Sequence, residues 1–442
     1  MALASPMPSP RTPSSPPGSG RYTDYPMAMV VLTVIFFMWG LLTAMNDVLI
    51  PHLKSSFQLS YMQVMFVQST FFGAYFLMAL PGGKLVAMLG YKNGVVAGLA
   101  IAGIGAFGFW PAAALHSYPA FLCALFILAT GITVLQVAAN PYVSLLGPEK
   151  TSSSRLTLAQ ALNSLGTAIA LWYGGKLILS AIVKTPEQIA ALSPTDHLAY
   201  QAQQAHAVQG PYLGLAVILV LLALFVRMFH IPALREATEQ VEVVHHSYAD
   251  VLRHRHVFYG VLAIFFYVGA EVAIGSAMVN YLSLPDIGNM SEQKAAYYTS
   301  FYWGGAMVGR FIGSALTAAM SPRKLLAAFA AINMALVLTT MSTHGDLAMY
   351  SVIAIGLFNS IMFPTIFALG IERLGPMTSK ASSLLIMAIV GGAIVPPLLG
   401  VIADRFGLQH AFILPLLCYA YIVFYGASGS RVRDNAPIAP HA

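Results

Sequence analysis

Charge is what this sequence has least of. Only 9% of its 442 residues are Asp, Glu, Lys or Arg, against roughly 25% in soluble globular chains. A chain so poor in charge cannot cover itself with a water-compatible surface. Cysteine is almost missing as well. Cys123 and Cys418 stand far apart, each inside an apolar run, which excludes a disulfide framework and reads as packing. No His/Cys cluster has zinc spacing and no glycine-rich phosphate loop of the Walker type appears, so no metal, no other cofactor and no ATP hydrolysis by the chain itself are expected. A nucleophile–base grouping is lacking too, which argues against an enzyme.

Apolar sequence fills the space: 58% of residues are hydrophobic and the mean hydropathy is +0.73. The apolar stretches are continuous runs near twenty residues, not the short alternating segments of a membrane β-barrel. The breaks between them predict twelve membrane-spanning helices. Six lie at 27–50, 61–80, 93–113, 119–139, 156–180 and 211–231. Six more lie at 256–282, 295–317, 324–342, 346–370, 380–403 and 408–426. The expected division is a disordered tail (1–26, rich in Pro, Ser and Gly near its start), a six-helix bundle (27–231), a charged linker (232–255), a second six-helix bundle (256–426) and a short tail (427–442).

The net charge of +6 is spread over short loops, which excludes a nucleic-acid surface and fits membrane topology instead. With both termini and the even-numbered loops in the cytoplasm, only Lys54, Lys176, Lys184, Lys294 and Arg405 of the 22 Lys and Arg residues fall elsewhere, a strong positive-inside bias. Arg310 is placed in this count at the cytoplasmic end of the eighth span. The linker, with His245, His246 and His254 among its charges, reads as solvated, and 181–210 as an external loop with some helical content.

Polar residues inside such spans are the functional signal. Asp47 interrupts Phe36–Ile50, and a carboxylate there calls for a polar cavity, a proton or a cation. An Asp at a helix end reaching the headgroups, with His52 and Lys54 for neighbours, is the plainer reading; three apolar residues and Pro51 separate Asp47 from that boundary. Asn46 precedes it. Gln136 and Asn140, spaced i and i+4, share one face of the fourth helix, and Gln160 and Asn163, spaced i and i+3, share one face of the fifth. Amides give and accept hydrogen bonds without fixed charge, which suits a polyhydroxylated solute, although helices also use them to bond each other in membranes. Glu271 lies mid-span in the seventh helix, with Asn280 nine residues on. Asn359 and Pro364 in the tenth span echo Asn140 and Pro141 in the fourth, a faint sign of duplication. Phe37, Trp39, Tyr75, Trp172 and Tyr302 could stack on the apolar face of a sugar ring.

Asn46 through Lys54, Gln136 through Tyr142, Arg155 through Gly166, Tyr267 through Ser276 and Gly304 through Arg310 together resemble the major facilitator superfamily, and within it the fucose/glucose/galactose proton-symporter family. The resemblance implies two pseudo-symmetric six-helix bundles and alternating access around a central sugar site in a bacterial-type inner membrane, by a protein working as a monomer. It implies that Asp47 carries the coupling proton and that Gln160 and Asn163 contact the sugar. Fucose transporters of the family have a glutamate where this chain has Gln136, which turns the expectation toward glucose, galactose or an N-acetylated hexose. Glu271 is a second proton-coupling candidate. Protons are the expected coupling ion and sodium the alternative, since a carboxylate beside amide oxygens also suits Na⁺. The loop Gly83–Lys92 keeps glycines and basic residues but lacks the acidic residue usual in the superfamily.

Overall fold

The computed structural model describes residues 26–56, 61–115, 117–178, 188, 191–229 and 247–432; the side chains of 45–66 and 171–178, among others, lie outside this description. Every described element is helical. The long ones are α1 (Pro26–Ser56), α2 (Tyr61–Ala114), α3 (Tyr118–Leu145), α4 (Ser152–Ile178) and α5 (Pro194–Met228). After a short α6 (Tyr248–Arg253) come α7 (Arg255–Leu282), α8 (Glu292–Ala319), α9 (Pro322–Ser342), α10 (Gly345–Asn359), α11 (Met362–Gly370), α12 (Thr378–Met387), α13 (Gly391–Phe406), α14 (Leu408–Ala411) and α15 (Ile413–Phe424).

Among the described residues, nine stretches are long and apolar enough to cross a bilayer, one of them the 46 residues Ser69–Ala114. At 1.5 Å per residue that stretch would measure about 70 Å, more than twice the hydrocarbon thickness. It is two spans. Gly90 adopts φ 77° and ψ 165°, a conformation open only to glycine at low cost, and a Cβ on Gly94 would meet Val86, so the chain doubles back. The expected loop over 81–92 is therefore a turn at one residue. With α4 and the more polar α8, the helices make twelve spans, the tenth being α10–α11 and the eleventh α12–α13.

Both of those composite spans are interrupted for local reasons. Pro364 has no N–H to give the carbonyl of Ser360, and the helix breaks at 360–361 before resuming. A 3-10 turn at Ala388–Val390 divides the eleventh span before Gly391 and the pair Pro396–Pro397.

Two helix pairs approach backbone to backbone. A methyl group on Gly40 would strike the Asn163 carbonyl, and one on Gly166 the Phe37 carbonyl, so α1 and α4 lie in direct contact. In the second half a methyl on Gly391 would strike the Phe265 carbonyl, and one on Gly269 would strike Val395. Spans one and five thus pack as spans seven and eleven do, the structural trace of the pseudo-symmetry. Close approach through small residues is how helices gain contact where lipid removes the hydrophobic incentive.

Several details differ from the sequence reading. Residues 230–246 lie outside the description, but Ser247 caps α6 through a reciprocal bond pair with Asp250, Val251 is buried, and the Tyr248 hydroxyl donates to the Leu80 carbonyl at 3.2 Å. The last part of the linker is docked structure, not solvated chain. Residues 194–210 are the helical beginning of α5, and the last span runs on to Gly429. Cys123 is exposed on α3, whereas Cys418 is buried.

The two halves meet at one end of the bundle. Ser379 Oγ donates to the Gly83 carbonyl at 3.2 Å and Ser382 Oγ to the Val137 carbonyl at 2.9 Å. Ser154 and Ser314 exchange hydroxyl-to-carbonyl bonds of 2.7 and 3.0 Å. Tyr248 and Ser383 share a hydrogen bond beside Gly83; burial holds the Tyr248 hydroxyl above its ordinary pKa, keeping it a neutral donor.

Candidate functional site

In the first half, the amides of α3 and α4 are buried with bonding capacity to spare. Gln136 Nε2 donates to the Tyr75 hydroxyl at 2.5 Å, with Trp39 the second partner of that oxygen, while Gln136 Oε1 has none. One turn further on, Asn140 is fully buried and neither its Oδ1 nor its Nδ2 finds a partner. Gln160 Nε2 is likewise buried and unpartnered. An orphaned buried polar atom is destabilising by roughly 1–3 kcal/mol, so four such atoms on two neighbouring helices are a concentration of bonding capacity that a ligand could use.

Asn163 behaves differently from the other amides. Its Nδ2 donates to the Phe36 carbonyl of α1 at 2.9 Å, and Thr167 Oγ1 reaches the Gly40 carbonyl at 3.2 Å. Asn163 therefore clasps α4 to α1 across the glycine contact, the helix-bonding use of an amide. Trp39 and Tyr75 are buried beside Gln136, and Phe37 is half-buried on α1. The side chains of Asn46, Asp47 and Trp172 lie outside the described residues.

The second half holds a connected polar network. The Tyr267 hydroxyl, one helical turn before Glu271, lies 2.8 Å from Glu271 Oε1 and 3.1 Å from the Asn359 carbonyl. Tyr302 donates to the Glu271 carbonyl at 3.2 Å and accepts from Asn359 Nδ2 at 2.8 Å. Asn359 Oδ1 accepts from Asn333 Nδ2 and from Tyr419, both at 2.8 Å. Asn359 is thus engaged at both ends of its amide and fully buried; it orders the network and is not poised toward a solute. Tyr302, one of the sequence candidates, belongs here. Asn280 is exposed, and nine residues at 100° each set it half a turn from Glu271, so it is not part of this group.

Arg310 is the main correction to the sequence reading. It is not at the helix end but mid-helix in α8, with Nη2 at 3.9 Å from Glu271 Oε1, both side chains largely buried. Its Nη1 donates to the hydroxyl of Ser164, and Ser164 Oγ lies 3.1 Å from the Gln160 carbonyl. One guanidinium therefore ties the carboxylate of the second half to the helix turn of the first half that carries Gln160. Buried opposite charges are tolerated when paired and hydrogen-bonded. The i−4 position of Tyr267 and the lone Asn333 in an apolar run were readable signals; Ser164 gave none.

A model of the Major Facilitator Superfamily matches residues 32–389. The chain belongs to that superfamily. It is 49% identical over 408 residues to a protein of Brucella abortus biovar 1 (strain 9-941) named glucose/galactose transporter, covering 92% of this chain and 95% of that one. It is 36% identical over 423 residues to the L-fucose-proton symporter of Escherichia coli (strain K12), covering 94% and 96%. The crystal structure of the superfamily transporter FucP in the outward conformation superposes with a TM-score of 0.87 at 36% identity, covering 93% of this chain and all of FucP. The superfamily fold expected from the sequence is the fold found, and this is a transporter family, not a family of enzymes.

Proposed function

We propose that this protein is a proton-coupled symporter that takes up a hexose of the glucose/galactose type by alternating access. The observation that carries this reading is the set of buried amide atoms without partners on Gln136, Asn140 and Gln160, which suits a solute that offers several hydroxyls at once. Relatives named for glucose and galactose at 49% identity and for fucose at 36% identity support the hexose class and the proton. Gln136, neutral and held by Tyr75, favours the glucose/galactose side. Asp47 is the coupling carboxylate in this reading: protonated with sugar bound it favours closure over the site, and opening toward the cytoplasm releases both. Sugar and proton drive the cycle only through their different affinities for its two states.

With the termini cytoplasmic in an inner membrane, the end closed by Ser154, Ser314 and Ser379 is, in this reading, the cytoplasmic one. Purified protein in proteoliposomes, tested with glucose, galactose, fucose, mannose and N-acetylglucosamine, decides specificity. Accumulation of glucose or galactose driven by an inward proton gradient at zero sodium is the expected result. Fucose uptake with negligible glucose and galactose uptake would overturn the specificity, and uptake that follows sodium at fixed pH would overturn the coupling ion.

A further inference from the structure

Tyr267 has one hydroxyl hydrogen and two acceptors. Glu271 Oε1 stands at 2.8 Å and the Asn359 carbonyl at 3.1 Å, and a phenol can donate to only one at a time. The Asn359 carbonyl is no ordinary helix carbonyl. It closes α10 at the break ahead of Pro364, where Ser360 Oγ and Thr365 Oγ1 are buried without partners. Asn359 is itself fixed in orientation by Asn333, Tyr302 and Tyr419. The second acceptor is therefore a rigid point beside a helix joint that has unused bonding capacity.

We propose that Tyr267 is a positioning residue that reads the charge of Glu271 and transmits it to the break in the tenth span. When Glu271 is ionised, the charged oxygen is the stronger acceptor and takes the hydrogen, leaving the Asn359 carbonyl without it. When Glu271 takes a proton from the water of the transport route, its own O–H donates to the Tyr267 oxygen, and Tyr267 turns its hydrogen to the Asn359 carbonyl. One proton gained on the carboxyl thus becomes one hydrogen bond gained at the joint, and its loss reverses both. Among the described residues, the charged or titratable groups set around Glu271 are Arg310 and Tyr302 from α8, Tyr267 from its own helix and Tyr419 from α15. The Arg310 guanidinium opposes protonation of the carboxylate beside it, so the switch operates in the state of the cycle in which Arg310 has moved off Glu271. The proposal rests on the transport reading above only in needing a cycle between two states.

The test reads conformation and not sugar, so failure of the sugar assignment leaves it intact. Spin labels go on Lys150→Cys and Lys324→Cys, exposed positions on opposite halves, with Cys123→Ser and Cys418→Ala removing the native thiols. They flank a cavity of ≈ 710 Å³ lined by Lys150, Arg323 and Glu372. The full chain also carries Asp47→Asn, so that Asp47 does not titrate. In nanodiscs, pulsed electron resonance distances are expected to shift between about pH 5 and pH 8, the open-to-closed ratio changing about threefold to tenfold, the worth of one net hydrogen bond. Glu271→Gln, which cannot ionise, is expected to hold one distribution at every pH. Tyr267→Phe is expected to abolish the shift, with labelled, folded protein still sampling both distances. A titration unchanged in Tyr267→Phe, one retained in Glu271→Gln, or none in the parent overturns the proposal. Should Tyr267→Phe fail to fold, Glu271→Gln alone decides.

Discussion

A single amide can hold a helix or be left free for a solute, and two amides within four residues are placed differently here. Gln160 keeps a buried N–H group free, whereas Asn163 spends its N–H group on the Phe36 carbonyl. Gln160→Ala is expected to weaken sugar binding by about 1–3 kcal/mol, one buried hydrogen bond, with remaining uptake still responsive to pH. Asp47→Asn is expected to abolish uphill accumulation while leaving sugar exchange down its gradient, because it removes charge switching but keeps size and polarity. Uptake and counterflow measured side by side separate the two, and normal accumulation in D47N would remove Asp47 from the coupling role and bring Glu271 forward. Much at this scale is legible in the sequence. Polar residues stand out against apolar runs, so Gln136, Asn140, Gln160 and Glu271 are conspicuous by composition alone. Their partners are not. Ser164 and Tyr419 look ordinary in sequence, and Arg310 is absorbed into a loop count because a long side chain near a helix end is the commoner case.

Helices here are placed by absences as much as by side chains. Gly40 and Gly166 let α1 and α4 touch, and this contact sets the distance between the segment bearing Asp47 and the face bearing Gln160. Gly166→Ala is expected to push the helices apart by breaking the van der Waals fit to the Phe37 carbonyl. The Asn163–Phe36 bond would lengthen, and the half-saturation concentration for sugar uptake would rise about tenfold or more, since small misplacements of binding groups are costly. Gly210→Ala, with open space around it, serves as the control and is expected to leave uptake unchanged; equal effects from the two would sink the idea. Hydropathy reveals the spans because a bilayer demands long apolar runs. It places the break over 81–92 but not its form, because nothing in hydropathy shows that one glycine in a positive-φ conformation makes the whole turn. It misses α6 because a six-residue helix carries too little periodicity to stand out from a charged stretch, although the Ser247–Asp250 spacing is that of a capping box.

At the scale of the whole molecule, what closes one end must also release it in every cycle. The contacts between the halves there are mostly neutral hydrogen bonds, each contributing about 0.5–1.5 kcal/mol net. The ion pair Glu149–Arg373, at 3.9 Å with side chains 50% and 60% exposed, lies in high dielectric and contributes little. The reciprocal Ser154–Ser314 pair is therefore the better place to loosen the closed state. Ser154→Ala with Ser314→Ala removes two bonds without stranding a carbonyl, since both residues lie in helices whose backbone acceptors have their own partners. That double variant is expected to raise the population open at this end by about tenfold, the equivalent of roughly 1.4 kcal/mol. Glu149→Ala is expected to change it by less than about twofold. Distances between spin labels at Lys150→Cys and Lys324→Cys measure both variants on one scale. A larger shift from Glu149→Ala than from the serine pair would mean that charge, not neutral hydrogen bonding, governs closure. In that case closure would weaken as salt is raised, whereas control by the serine pair leaves the distance distribution insensitive to salt.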